Sequence, residues 1–456
     1  MQRIKFSFCT FVVIAVTAIF CGCAVRTGSY YDNSVASEFN SDTFEKASKK
    51  EKLTPVIFIH GLFGSELWDD KKHQQLWGSF SYGTMLGNDF SRKLALPVSK
   101  NQSAEKIVPG KILSRSRVSV AGIGGKIDNY INILNMLDAL GYRERDNTLF
   151  VFAYDWRRSI AENAGALALF VQEKRDLLKS LNRQAGDNTQ EVRFDLIGHS
   201  MGGLIARYYV QYGNAPLGNK KSKLPTLSWA GAANVRKVIM VASPNGGYAD
   251  TLVEISNDLV LARFAPAIPG YVLATFPSYY QMLPDVEQQN VKLAGSGKPV
   301  DIFDIAVWKK YRWGLLADDS DTMGFLAQIM PEYTEKHRCD AVLDYTRRCL
   351  DEASRFKLLM NRPAGLPPEP VQFYSVASSG IPACSNLTVD PESGKVCPSG
   401  VSAGDGKVAL QSAHPGHNGQ SPVFLHGVIT LDGGHMGVMR SDLFARNLVH
   451  LLQCAD

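Results

Sequence analysis

Beyond Cys23, no two cysteines of this 456-residue chain stand at a Cys-x-x-Cys spacing; the remaining thiols, Cys339, Cys349, Cys384, Cys397 and Cys454, are scattered. That absence argues against a zinc site, and no metal is expected. Charge of one sign is lacking too. The 49 Lys and Arg are nearly balanced by 44 Asp and Glu, and a dispersed +5 excludes a nucleic-acid partner as the main reading. The apolar run Phe6–Phe20 has only fifteen residues, short of the roughly 20 that span a bilayer, and the overall composition excludes a polytopic membrane protein. No internal repeat, low-complexity block, dinucleotide fingerprint or phosphate-cradling loop is present, so no cofactor is expected. What is there, 45% apolar and 20% charged residues, describes a globular protein with a sizeable core.

Arg3 and Lys5 precede the apolar run and the small pair Gly22 and Cys23 follows it, which reads as an export signal over residues 1–22. Phe20-Cys-Gly-Cys23 resembles the lipobox of bacterial lipoproteins, which makes Cys23 the candidate lipid anchor, and Ala24 resembles the outer-membrane sorting pattern. A membrane surface is then an expected partner and the cell envelope the expected location, facing the periplasm or the surface. Residues 23–52, rich in Ser, Asn, Asp, Lys and Glu from Arg26 on, read as a tether. In an oxidising compartment, Cys339 with Cys349 and Cys384 with Cys397 are the natural disulfide pairs, leaving Cys454 single.

From Leu53 to residue 456, short apolar runs alternate with helical patterns: Val56–His60, Leu149–Tyr154, Phe194–His199, Val235–Ala242, Val371–Val376 and Val423–Thr430. This predicts an α/β architecture, a mostly parallel sheet with helices on both faces. The stretch between the fourth and fifth runs is too long for one crossover, so a cap or lid insertion is expected at about 245–369.

Within Gly198-His-Ser-Met-Gly202, a strand meets a helix, and glycines two positions either side give room for a sharp turn that lifts the Ser200 hydroxyl clear. Val56-Ile-Phe-Ile-His-Gly-Leu-Phe-Gly-Ser65 carries a strand into a Gly-flanked loop, where the amide of Leu62, or of Phe63 one position on, could join that of Met201 as an oxyanion hole. A hydroxyl needs a base, and the base an orienting acid. His435, in the Gly-rich loop after the last strand, is the preferred base over His414 and His417; His426 and His450 read as structural. Asp405, in Gly404-Asp-Gly-Lys-Val408, is the preferred acid over Asp432.

With these residues in place, the chain resembles the lecithin:cholesterol acyltransferase family of α/β-hydrolases. The similarity is carried by Pro55–Leu67, with His60 where many members have Pro, by Tyr154-Asp-Trp-Arg157, by the Ser200 turn, by Ser243-Pro-Asn-Gly-Gly247, by Pro277-Ser-Tyr-Tyr-Gln-Met-Leu-Pro284 and by Gly404–Val408. The resemblance implies a serine ester hydrolase or acyltransferase acting on lipid or other apolar esters through an acyl-enzyme. It also implies that Trp156 and Pro277–Pro284 lie near the acyl-binding or lid region. Two other functions share the sequence evidence: a surface lipoprotein that binds apolar ligands without turnover, and an amidase or peptidase with the same triad.

Overall fold

A computed structural model describes residues 53–78, 80–81, 90–98, 107–120, 123–187, 191–260, 267–285, 290–368, 371–416 and 421–454. The expected export signal, Cys23 and the tether lie outside the described residues, as does His417. Six strands form the central sheet: β1 (Val56–Ile59), β2 (Leu149–Phe152), β3 (Phe194–His199), β4 (Val235–Val241), β5 (Gln372–Ser378) and β6 (Gly427–Leu431). Their order is β6-β5-β4-β3-β1-β2, and every pairing is parallel.

The pleat explains why these runs are apolar throughout. Ile57, Ile59, Leu196, Val238, Met240 and Phe373 enter one core. Their neighbours Val56, Phe58, Ile197, Ile239, Val241 and Tyr374 enter the core on the opposite face. Alternate side chains thus feed two cores, and each needs helices to cover it. The first is covered by α2 (Ile160–Gln184), α3 (Met201–Tyr212) and the helices of the insertion, which end in α5 (Glu335–Asn361). The second is covered by α1 (Ile131–Ala139) and α6 (Asp442–Val449). Fully burying one Leu, Ile, Val or Phe is worth roughly 1.5–3 kcal/mol, so the sheet is secured from both faces. Among the described residues, no helix is long and apolar enough to cross a membrane.

Three features differ from the sequence expectation. The last strand begins at Gly427 rather than Val423, because the residues before it serve the insertion: the Ala364 amide donates to Pro422 O, 2.8 Å away. A hairpin, Ala383–Val389 with Val396–Ser402, follows β5 and pairs with Val291–Leu293 from the insertion, so one small sheet unites two distant segments. The expected disulfides do not form, and all four cysteines are free thiols. Cys339 and Cys349 share α5, where ten residues span about 15 Å, beyond disulfide reach. In the hairpin, Cys397 sits opposite Thr388 and Cys384 opposite Val401, a register that separates the two sulfurs by several residues.

Candidate active site

The carboxyl ends of the strands come into line. Ile59 pairs with Gly198, His199 with Val241, Val241 with Val376, and Ser378 with Leu431. The loops that follow therefore gather on one rim, where parallel sheets place their sites.

Ser200 forms the turn between β3 and α3 at φ 54°, ψ −124°, a left-handed backbone for a residue with a side chain, and its amide donates to Val241 O at 2.8 Å. Strain of this kind is worth about 1–3 kcal/mol and persists only where the surroundings enforce it. The surroundings are crowded: a β-carbon on Gly202 would lie 2.4 Å from Ile59 O, and one on Gly61 would lie 2.8 Å from the β-carbon of Ser200. The glycines thus let the loop after β1 pass directly over the serine.

Ser200 Oγ lies 3.0 Å from His435 Nε2, and His435 Nδ1 lies 2.7 Å from Asp405 Oδ2. The other carboxylate oxygen of Asp405 accepts the amides of Val408 at 2.7 Å and Lys407 at 2.9 Å, and the side chain is buried. Burial pushes this carboxyl upward, but the His435 charge and hydrogen bond, with the two amides, outweigh it and hold it below its ordinary value. Asp432 is exposed, and His414 is spent elsewhere, its Nδ1 2.8 Å from Ser375 Oγ.

The loop that passes over Ser200 is clamped along its length. Tyr154 donates to His60 O at 2.7 Å, Trp77 to Phe63 O at 3.0 Å, Trp156 to Ser65 O at 3.2 Å, and Ser65 to Tyr154 O at 2.9 Å. Phe63 takes a left-handed backbone at φ 61°, and its ring packs 4.5 Å from Trp156. Among the described residues, neither the Leu62 nor the Met201 amide donates within the protein. Trp156 is buried completely, against Phe63, Trp77 and Phe276. Through its hydrogen bond to Ser65 O and its packing on Phe63 it supports the loop. His60 stacks on Tyr154 with ring centroids 4.1 Å apart and donates to Gly61 O at 2.7 Å; burial lowers its pKa to about 4, against the hydrogen bond to Gly61, so it is neutral at pH 7.

Two of the motifs meet each other. Arg157 makes a buried bidentate pair with Asp155 at 2.8 and 2.9 Å. Ser278 donates to Arg157 O, while Gln281 accepts the Ile160 amide at 2.6 Å and donates to Ser159 Oγ at 2.9 Å, capping the start of α2 from another segment.

Two residues beside the serine carried no functional reading in the sequence. His199 entered only as the variable position of the turn, and Tyr130 stands in no motif. In the structure, His199 Nε2 is 3.0 Å from His435 O, and Tyr130 Oη is 3.0 Å from His199 Nδ1.

Among known families, the lecithin:cholesterol acyltransferase model matches residues 73–395. That span contains Trp156 and Ser200 and ends before Asp405 and His435. Among solved structures, the chain is similar to one in a Tle4–Tli4 complex, at 13% identity over 88% of this chain and 99% of that one, with a TM-score of 0.47. It is similar to the propeptide form of lipase BlEst2 from Bacillus licheniformis, at 12% identity over 89% of this chain and 52% of that one, with a TM-score of 0.33. The third is EstA from Clostridium botulinum, at 10% identity over 88% and 87%, with a TM-score of 0.33.

Proposed function

Since the chain belongs to the lecithin:cholesterol acyltransferase family, we propose that it is a lipid-ester hydrolase or acyltransferase working through a Ser200–His435–Asp405 triad and an acyl-enzyme. The observation that carries this reading is the unbroken line of contacts from Ser200 Oγ to His435 at 3.0 Å and from His435 to Asp405 at 2.7 Å.

In this reading, Ser200 Oγ attacks the ester carbonyl carbon as its proton passes to His435 Nε2, and the Leu62 and Met201 amides receive the charge that develops on the carbonyl oxygen. One such donor is worth about 10²–10³ in rate. Collapse expels the alcohol, which takes the proton back from His435. Water or a second alcohol then attacks the acyl carbon as it gives its proton to the same nitrogen, and the acyl–Oγ bond breaks to release acid or new ester while Ser200 Oγ takes that proton back. Asp405 holds the imidazole in the tautomer whose Nε2 can accept. An acylated Cys23 at the envelope would hold the enzyme at its substrate's surface.

Labelling by a fluorophosphonate that disappears in Ser200→Ala, with ester turnover lower by roughly 10⁴–10⁶, is the expected result. A loss within about tenfold would overturn the assignment. Folded wild type that resists the label would point to a binding protein, and turnover of peptides without esters to an amidase. Lipid mass analysis after incubation with mixed phospholipids and sterol separates free fatty acid from steryl ester, and so hydrolysis from transfer.

A further inference from the structure

Two buried side chains that the proposed cycle leaves idle connect the backbones on either side of Ser200. The Gly61 amide donates to Tyr130 Oη at 2.9 Å, Tyr130 Oη lies 3.0 Å from His199 Nδ1, and His199 Nε2 lies 3.0 Å from His435 O. The ends of this chain of contacts determine the direction of the outer bonds, and a neutral His199 ring determines the one between them. A carbonyl oxygen can only accept, so His199 Nε2 carries the proton. Burial, with the neighbouring His435, pushes the His199 pKa down to about 3, so the ring is neutral and its Nδ1 must accept. Tyr130 therefore donates its hydroxyl proton to Nδ1, and its oxygen is left to accept from Gly61, which can only donate.

The anchored groups matter more than the bonds themselves. Gly61 directly precedes Leu62, whose amide is the proposed oxyanion donor, and the carbonyl at the far end belongs to the proposed base. The His199 ring sits 5.6 Å from Tyr130 and 4.8 Å from His435, centroid to centroid, and is 1% exposed. Within this buried bridge, any shift of one loop must be transmitted to the other or leave a polar group without a partner.

We infer that Tyr130 and His199 are positioning residues, a hydrogen-bonded bridge that fixes the separation between the Leu62 amide and the His435 imidazole across Ser200. The inference rests on the hydrolase reading and deepens it. Constellations of this kind must be held to about 0.5 Å, and a misplacement of about 1 Å can lower turnover roughly 100-fold.

The test compares wild type, Tyr130→Phe, His199→Gln and His199→Phe on p-nitrophenyl butyrate, at a temperature where each is fully folded by circular dichroism. Tyr130→Phe is expected to lower kcat by roughly 10- to 100-fold with KM within about twofold, and to weaken phenylboronic acid, which forms a tetrahedral adduct on the serine, by a similar factor. His199→Gln keeps a donor for the His435 carbonyl and should retain more activity than His199→Phe. The double variant Tyr130→Phe/His199→Phe should be no worse than the poorer single one, since the two act as a unit. Unchanged kcat in Tyr130→Phe, a loss confined to KM, multiplying losses, or a loss that only follows the folded fraction would each overturn the bridge. Wild type that neither reacts with a fluorophosphonate nor turns over the ester would instead overturn the hydrolase reading itself.

Discussion

Asp405 illustrates how much depends on the direction of a single hydrogen bond. In Asp405→Asn the amide oxygen can still accept from Val408 and Lys407, as Asp405 Oδ1 does now at 2.7 and 2.9 Å, so the turn survives. The amide nitrogen would then face His435 Nδ1 and donate to it, forcing the imidazole proton onto Nε2, where it blocks acceptance from Ser200. Turnover is expected to fall by about 10⁴, with the melting temperature little changed, as read from ester hydrolysis and calorimetry on the same sample. The wild-type carboxyl also has a pH signature. Its folded pKa lies below its ordinary value, so its contribution to stability is present above that ordinary value and is lost as pH falls through the lower folded one. At this scale the sequence was informative where chemistry is local. The Gly404-Asp-Gly turn is legible because glycines let a carboxylate approach, whereas Asp432, only three positions from His435, is exposed. Tyr130 was not legible, because its role depends on a fold that brings residues 61, 130, 199 and 435 together.

Among the elements, α4 (Asp250–Asn257) packs against the hairpin strand Val396–Ser402 and reaches Lys407 of the Asp405 turn through Glu254. Glu254 on this helix is 8% exposed and accepts from Tyr248 at 3.1 Å and Tyr279 at 3.2 Å, with Lys407 at 3.9 Å and Asp250 one turn away. Burial raises its pKa to about 7; Asp250 adds to the rise, while Lys407 and the two tyrosine hydrogen bonds oppose it. A carboxyl whose folded pKa exceeds its unfolded value favours folding below the unfolded pKa, and the advantage disappears as pH rises through the folded one. Glu254→Gln removes that titration. Denaturant unfolding at pH 5 and pH 8 should show the variant gaining stability relative to wild type at the higher pH, by about 1.4 kcal/mol for each pKa unit of the shift; an equal difference at both values would refute the argument. Legibility at this scale follows sequence distance. The six sheet strands are read from mostly apolar runs of five to eight residues; the inner strands are buried on both faces, whereas the edge strand β6 leaves Val428 and Thr430 exposed. The hairpin Ala383–Ser402 contains Asn386, Pro398 and Gly400, which read as loop, and it is strand only through partners that include Val291–Leu293, about ninety residues earlier.

For the whole molecule, the pieces most easily read from sequence turn out to serve one another. Tyr154–Arg157 supports the loop over Ser200 and also meets Pro277–Gln281, so two motifs separated in sequence form one buried scaffold, with Trp156 inside it. A motif shows that a residue is used, but a side chain used for packing and one used for chemistry leave the same trace until burial distinguishes them. The proposed location can be tested in the same way, by separating anchoring from chemistry. If Cys23 is acylated, wild type will sediment with membranes and incorporate an alkyne-tagged fatty acid, and Cys23→Ala will do neither. Because Ser200, His435 and Asp405 belong to the body after Leu53, turnover of a soluble butyrate ester should be the same in both. Against phospholipid in the native envelope the variant should be slower, since tethering raises the effective concentration of enzyme at the surface to about the millimolar range without any new contact. Equal rates on both substrates would mean that the anchor, even if present, does not deliver the enzyme to its lipid. Wild type found in the soluble fraction without label would refute the anchor itself while leaving the triad untouched.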